Sequence, residues 1–590
     1  MFKNLLLIFL LMGFAASASW AGVNLTNGNF FINYTDLVTT SQGANFKFER
    51  VYNSKSSHNG WFGVGWGTLF EAKVELAADG AIMVLENGSS GYGRFIPKTG
   101  IAKKQVDEAI NKIVKAVMDK KTKEGKPVDQ KTKDNLISSL QKNEIYRHSI
   151  AKQYGVVSKL DVGTKLVSED VPGQEIEVTM TGFERTISNG VKQSFDKSGR
   201  LIKSRDLQSY GFDIVYKGDH PEMIKDTLGN QVLIKVGPSS GKIEEVKDIK
   251  GKVATYKYDS RKALIESKDI GNNTYRYNYD NIYNLTSIID LNIKEKAKAE
   301  LKIEYAPKTF NVSKVVARSG EVTNYFYQQE VGKAKGANLY RTFVIRDGKA
   351  EKYEYEYGIR TDGSLFPKRT LTMLGGKFDA KTFAYLGGDV EEYIYSERHN
   401  MPIESRIGKR VTKMQYTEDG FMKLKEEFEG GKLVDRLSMS YDPKIKKLVG
   451  IDGKNIKATY AYNSKGELEV GKTTDGRAIK LNYDFKGRIS SMISVLERRG
   501  VASNAGGAAR TNVSLNFEYN EEGKPSKIEL KGLGHLVIGY TNSKVSSVKT
   551  IVDPAAKKEN KNELDVSFTI NNAFENLMEV VRPAGVSIDV

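Results

Sequence analysis

The chain of 590 residues exceeds a single ordinary core and calls for several domains or one repetitive one. Its 39% hydrophobic and 28% charged residues are a folded composition, and no long apolar run after the start predicts a membrane span. A formal charge of +17 favours acidic partners, and the absence of cysteine excludes disulfides, thiol catalysis and cysteine metal sites.

The first residues read as a secretory signal. Lys3 supplies the positive start, Leu5 to Phe14 the apolar stretch, and Ser19 and Ala21 the small residues that a signal peptidase reads, with cleavage expected after Ala21. The alternative, an N-terminal membrane anchor, has too short an apolar run in its favour. A lipoprotein anchor needs a cysteine. The expected location is the periplasm, the cell surface or the medium, where an array without disulfides relies on its core and its ladder.

Residues 22–100 read as β-structure with turns. Phe46 to Tyr52 alternates apolar and polar, and Asn59-Gly60 and Asp79-Gly80 are hairpin-type dipeptides. Gly63 and Gly65 permit unusual backbone angles, and Trp61, Phe62 and Trp66 suit a plug for the end of a β-array. Residues 101–155 change period. Val106, Ile110, Ile113, Val114 and Val117 recur at helical spacing, Gly125-Lys126-Pro127 breaks the run, and Leu136, Leu140 and Ile145 resume it. This predicts a basic helical hairpin, read either as a cap on the array or as a docking arm.

From 156 to 550 a repeat dominates. Asp206, Asp226, Asp248, Asp269 and Asp290 stand 20 to 22 residues apart, and ten residues after the first four stand Tyr216, Val236, Tyr258 and Tyr279. Tyr441-Asp442, Tyr462-Asn463 and Tyr483-Asp484 keep a step of 21, as do Tyr395 and Tyr416, and Tyr519 and Tyr540. A period in this range marks a repeat architecture. The unit from Gly251 to Ile270 reads as strand, turn, strand, turn. An aspartate or asparagine after the tyrosine bonds its own backbone, so the regular aspartates have a structural task. The tyrosines have two readings, sugar-binding aromatics or cross-strand pairs, and their place at the period favours the second.

Three stretches depart from the period. Between Asp290 and Tyr395 the strands stay rich in tyrosine (Tyr353, Tyr355, Tyr357) but lose register. Residues 497–512 form a Gly- and Ala-rich insertion made basic by Arg498, Arg499 and Arg510, expected to bind an anionic polymer together with the helices at 103–133. Residues 551–590 are expected to hold a linker at 553–563 and a last pair of strands from Leu564 to Val590.

Several of these segments resemble the Rhs/YD-repeat proteins. Arg50-Val51-Tyr52-Asn53-Ser54, Phe62-Gly63-Val64-Gly65-Trp66 and Gly93-Arg94-Phe95 are similar to that family's N-terminal segment, and Gly199-Arg200-Leu201 with the Tyr-Asp pairs resembles its repeat. The resemblance covers about 30–95 and 185–550. It implies hairpins coiled into a β-shell. In such families the shell often ends in a self-cleaving core, marked by Asp-Pro-x-Gly, and a toxin. Here Asp442-Pro443 and Asp553-Pro554 lack the glycine and only 36 residues follow Pro554, so neither is expected.

The five histidines are isolated, and no nucleophile elbow, phosphate loop or calcium loop appears. No catalytic residue, cofactor or metal site is therefore named. The expected fold is an all-β array of antiparallel hairpins, wound as a curved sheet or open shell, with a small helical insertion. The expected function is an exported non-enzymatic scaffold that binds or encapsulates. The alternatives are a shell component of a toxin or secretion system with a separately encoded effector, and a carbohydrate-active enzyme. The expected partner is an anionic surface polysaccharide or a protein cargo, and no nucleic acid.

Overall fold

A computed structural model of the chain describes residues 21–583 apart from 42–43, 89–90, 126–128, 172, 188–189, 207–208, 332–337, 361–363, 399, 455, 498–509, 521–522 and 542–543. The array is one curved antiparallel sheet of short hairpins. Its ladder begins with Lys73–Leu76, Ile82–Leu85 and Tyr92–Ile96, crosses the helical insertion to Lys165–Ser168, and continues to Lys544–Val552.

Each regular repeat is built by two side chains. The carboxylate of Asp259 accepts from the backbone N–H groups of Arg261 and Ala263, both at 2.9 Å, and so closes the turn after Tyr258. Asp248, Asp269, Asp280, Asn463 and Asp484 do the same two and four residues on. The tyrosine sits at a β-bulge and donates its hydroxyl to the carbonyl of an apolar residue in the preceding unit: Tyr258 to Ile243 at 2.7 Å, Tyr279 to Leu264 and Tyr483 to Leu468 at 2.8 Å. Val236 occupies a tyrosine position and its bulge without a hydroxyl to give.

The N-terminal segment expected as one piece over 22–100 divides near Glu71. Strands Ala21–Asn24, Asn29–Ser41, Ala44–Asn53 and Trp66–Gly67 form a separate sheet, whereas the strands from Lys73 onward belong to the array. The separate sheet packs on one face of the early strands of the array. Phe62 packs edge-on against Tyr256, Trp66 against Tyr277, and Phe70 against Phe212. Asn59-Gly60 is not a turn. It pairs with Gly63–Val64 so that the turn falls at Trp61 and Phe62, and the Asn59 and Gly60 oxygens receive the Lys242 ammonium at 2.6 to 3.2 Å. Asp79-Gly80 does turn, with Gly80 at φ +92°.

The insertion consists of three helices, Lys103–Lys123, Gln130–Lys142 and Glu144–Gln153. The second limb breaks because Asn143 caps a new helix, its side chain accepting from the N–H of Tyr146 at 2.8 Å. Val106, Ile110, Ile113 and Val117 pack on Ala77, Ala81 and Met83, as a cap on the array would.

The pair of strands expected from Leu564 to Val590 is a helix over Glu563–Val581. Val566, Ile570, Ala573, Leu577 and Val580 recur at helical spacing, and Asn562 caps the start by accepting from Leu564 and Asp565. The helix docks on the late strands, burying its apolar stripe against Leu481, Met492, Leu515 and Ile538. Asn576 donates to Ser494 Oγ at 2.7 Å, and the Tyr460 hydroxyl donates to the Val580 carbonyl at 2.9 Å.

Candidate binding face

Two segments of the chain thus cover the same face of the array, the N-terminal sheet over the early strands and the C-terminal helix over the late ones. The first core runs to Val312 with Tyr325 at its margin, and the second begins at Leu437 with Met422 at its margin. Among the described residues neither core takes a side chain between Tyr325 and Met422. This middle stretch of the docking face is the candidate site.

The early junction shows how the face holds a polypeptide. Arg50 is fully buried there, with its Nε 2.6 Å from Asp36 and its Nη2 donating to Ser267 Oγ at 2.7 Å and Tyr277 Oη at 3.0 Å. Tyr256 donates to Asp36 at 2.9 Å, and the guanidinium lies 4.6 Å from the Trp66 ring centre. Burial raises the Asp36 carboxyl, against the pull of Arg50 beside it. Further on, Thr342 donates to the carbonyl of Leu25 at 2.5 Å.

Beyond that contact, antiparallel register sets the side chains of the face in rows. One row is Tyr327, Thr342, Tyr353, Thr372, Glu391, Ile407, Arg410 and Glu429. The next is Gln329, Tyr340, Tyr355, Thr370, Tyr393, Ser405, Thr412, Glu427 and Asp435. Tyr327, Tyr340, Tyr353, Tyr355 and Tyr393 are half-buried. Tyr340 stacks edge-on with Tyr357, with ring centres 5.8 Å apart. The partial burial pushes the Tyr355 hydroxyl up to about 12, so it stays protonated at neutral pH. The opposite face carries ion pairs, Arg341 to Glu354 at 3.0 Å and Arg369 to Glu392 at 2.5 Å, and an aromatic stack of Phe343 on Phe378.

A second concavity lies where the array coils back on itself. Arg360 reaches within 3.4 Å of Glu169, Ser364 donates to Glu169 at 3.0 Å, and Asn400 to Asp170 at 2.8 Å. The cleft beside them encloses about 700 Å³ and is lined by Lys98, Glu175, Arg398, Glu418 and Phe421 among others. Burial raises the Asp170 carboxyl. Acids and bases alternate around it, so its charge selects no one ligand class.

The basic loop expected to bind an anionic polymer lies almost wholly outside the described residues. This holds for Arg498 and Arg499, while Arg510 opens a strand paired to Glu497. The lysines of Lys103–Lys123 alternate with Glu108 and Asp119 on the exposed side, and Lys103 pairs with Asp107 at 3.4 Å. The helices of the insertion pack on Ala77, Ala81 and Met83 rather than on the tyrosine rows. Among the described residues no group of His, Asp and Glu could hold a metal, and no helix is long and apolar enough to cross a membrane.

A domain family of unknown function, DUF6531, matches residues 21–91. That match spans the docked sheet and the first strands of the array. No curated protein matches the chain. Among solved structures, a TcdB2-TccC3 complex without its hypervariable C-terminal region aligns at 10% identity over 89% of this chain and 28% of its own, with a TM-score of 0.33. TcdB2-TccC3-TEV aligns at 10% identity over 94% of this chain and 29% of its own, with a TM-score of 0.30. The chain therefore spans under a third of the length of these toxin-complex chains. A porin-like protein from Bacteroides uniformis aligns at 12% identity over 35% of this chain and 97% of its own, with a TM-score of 0.16.

Sequence reasoning singled out Tyr353, Tyr355 and Tyr357 but assigned them the structural role of the repeat tyrosines. It passed over Tyr327, Tyr340, Tyr393, Glu391 and Glu427. The available signal was the loss of register itself, since a tyrosine off the period has no upstream carbonyl at its hydroxyl.

Proposed function

We propose that the chain is an exported, non-catalytic scaffold that holds a polypeptide against the face between Tyr325 and Asp435. The observation that carries this reading is the seat of Leu25. Its carbonyl is held by Thr342, a member of the same rows that run on uncovered. Both ends of the face already accept polypeptide, as a sheet at one end and as a helix at the other. The middle offers the same chemistry, aromatic surface with hydroxyl groups, which suits an extended chain whose carbonyls need donors. Export rests on the signal-like first residues.

The test is site-specific photo-crosslinking in an expressing cell. A photoreactive side chain replacing Tyr393 should yield one discrete protein adduct, and the same group replacing Lys352 on the opposite face should not. Equal labelling from both positions, or none from Tyr393, overturns the reading.

A further inference from the structure

We infer that the polypeptide held on this face is basic. The inference rests on the reading above and adds the chemistry of the occupant. The chain as a whole carries a net charge of +17, yet the uncovered rows reverse that sign. From Tyr325 to Asp435 the rows place Glu351, Asp389, Glu391, Glu427, Glu429 and Asp435 on the face against Lys349, Arg410, Lys425 and Lys432. Lys425 is already taken by Glu427 at 2.6 Å. Arg346 stands one row beyond and is held by Glu321 at 3.0 Å. Glu391 has no ion-pair partner among the described residues and stands between Thr372 and Ile407, one row from Tyr393.

Half-exposed tyrosine rings beside unpaired carboxylates are a site for Lys and Arg side chains. The ring faces attract the cation, the carboxylates pair with it, and the long aliphatic stems lie on the aromatic surface. The same chain shows this chemistry within itself at the early junction, where Arg50 lies against Trp66 and Tyr34 and pairs with Asp36. An acidic peptide or polysaccharide meets like charge on the same rows. The Leu25 contact lies on one of these rows, so the occupant continues an interface that already exists.

The experiment uses the full mature chain and three fluorescent peptides of one length, with Gly and Ser interspersed with Lys and Arg, with Asp and Glu, or with neither. Anisotropy titrations should show the basic peptide binding at least about tenfold more tightly than the others, the gap narrowing as salt screens the charges. Glu391→Gln together with Asp389→Asn should weaken the basic peptide by about tenfold, while Lys352→Ala on the opposite face leaves it unchanged. Thermal melts of each variant separate lost binding from lost folding. Equal binding of all three peptides overturns the basic class while leaving the polypeptide reading standing. Preference for the acidic peptide, a salt-independent affinity, or no binding by any peptide overturns the inference, and the crosslinking experiment above then judges the broader reading separately.

Discussion

The hydroxyl of Tyr258 donates to the carbonyl of Ile243 at 2.7 Å, 15 residues upstream, and this one bond joins adjacent units of the array. The bulge at Tyr258 aims the ring, and the Asp259 turn fixes the strand that follows. Tyr216, Tyr279, Tyr483 and Tyr540 repeat the same bond at the same separation. Tyr258→Phe leaves the ring and deletes the bond. The expected loss is about 1 kcal/mol, measured as a lower denaturant midpoint with unchanged slope. A variant as stable as the parent would show that the hydroxyl contributes nothing to the coupling of units.

The Arg50–Asp36 pair lies within the N-terminal sheet and fastens it to the array through Ser267, Tyr277 and Tyr256. Arg50→Ala leaves the Asp36 carboxylate buried without its cation, and the expected cost is about 3–5 kcal/mol. Replacing both residues with apolar ones, Arg50→Met with Asp36→Leu, should cost less than Arg50→Ala alone. Urea denaturation of the two variants tests the order, and a double variant less stable than the single one contradicts it.

Acid should loosen the helical insertion first. Burial works to raise the Glu75 carboxyl, but hydrogen bonds from His148 at 2.9 Å and Lys152 at 2.6 Å outweigh it and bring Glu75 to about 2. A depressed carboxyl stabilises the fold above its unfolded value near 4.5, and that contribution is lost as pH falls towards 2. Helical ellipticity in the parent should decline through this window. Glu75→Gln, which cannot ionise, should be less stable at neutral pH and flatter across the window, and an identical acid profile would refute the assignment.

How much of this was readable beforehand follows from which residues speak locally. The repeat, its turns and its bulges come from side chains bonding within one or two units, so Asp259 and Tyr258 announce themselves through spacing. The helical insertion is equally plain from Val106 to Val117. The docking of Arg50 onto Tyr277 joins residues 227 apart, and nothing in either strand states the partnership. The C-terminal helix differs from the expected strands although its apolar residues keep a helical period, because the β-array upstream sets the expectation. The uncovered face was hidden for a further reason. It is defined by where the docked sheet and helix stop, and that boundary exists only after both have folded onto the array.

That helix is expected to hold the late strands together. Ile570→Ala opens a cavity in the second core and should cost about 2–5 kcal/mol. Gly471→Ala should also destabilise, because a Cβ there falls 2.6 Å from Val580 Cγ1, and the Val580 side chain or its helix must give way. Limited proteolysis reads both effects as earlier cleavage near 553–563, and resistance equal to that of the parent would contradict them.

The central claim, that the rows between Tyr325 and Asp435 are the binding surface, is tested most directly by hydroxyl-radical footprinting of the full chain with and without the basic peptide. Protection of Tyr353, Tyr355 and Tyr393, with no change at Phe326 and Phe378 on the opposite face, is the expected result. Protection confined to the opposite face, to the cleft around Phe421 or to the insertion helices would contradict the account.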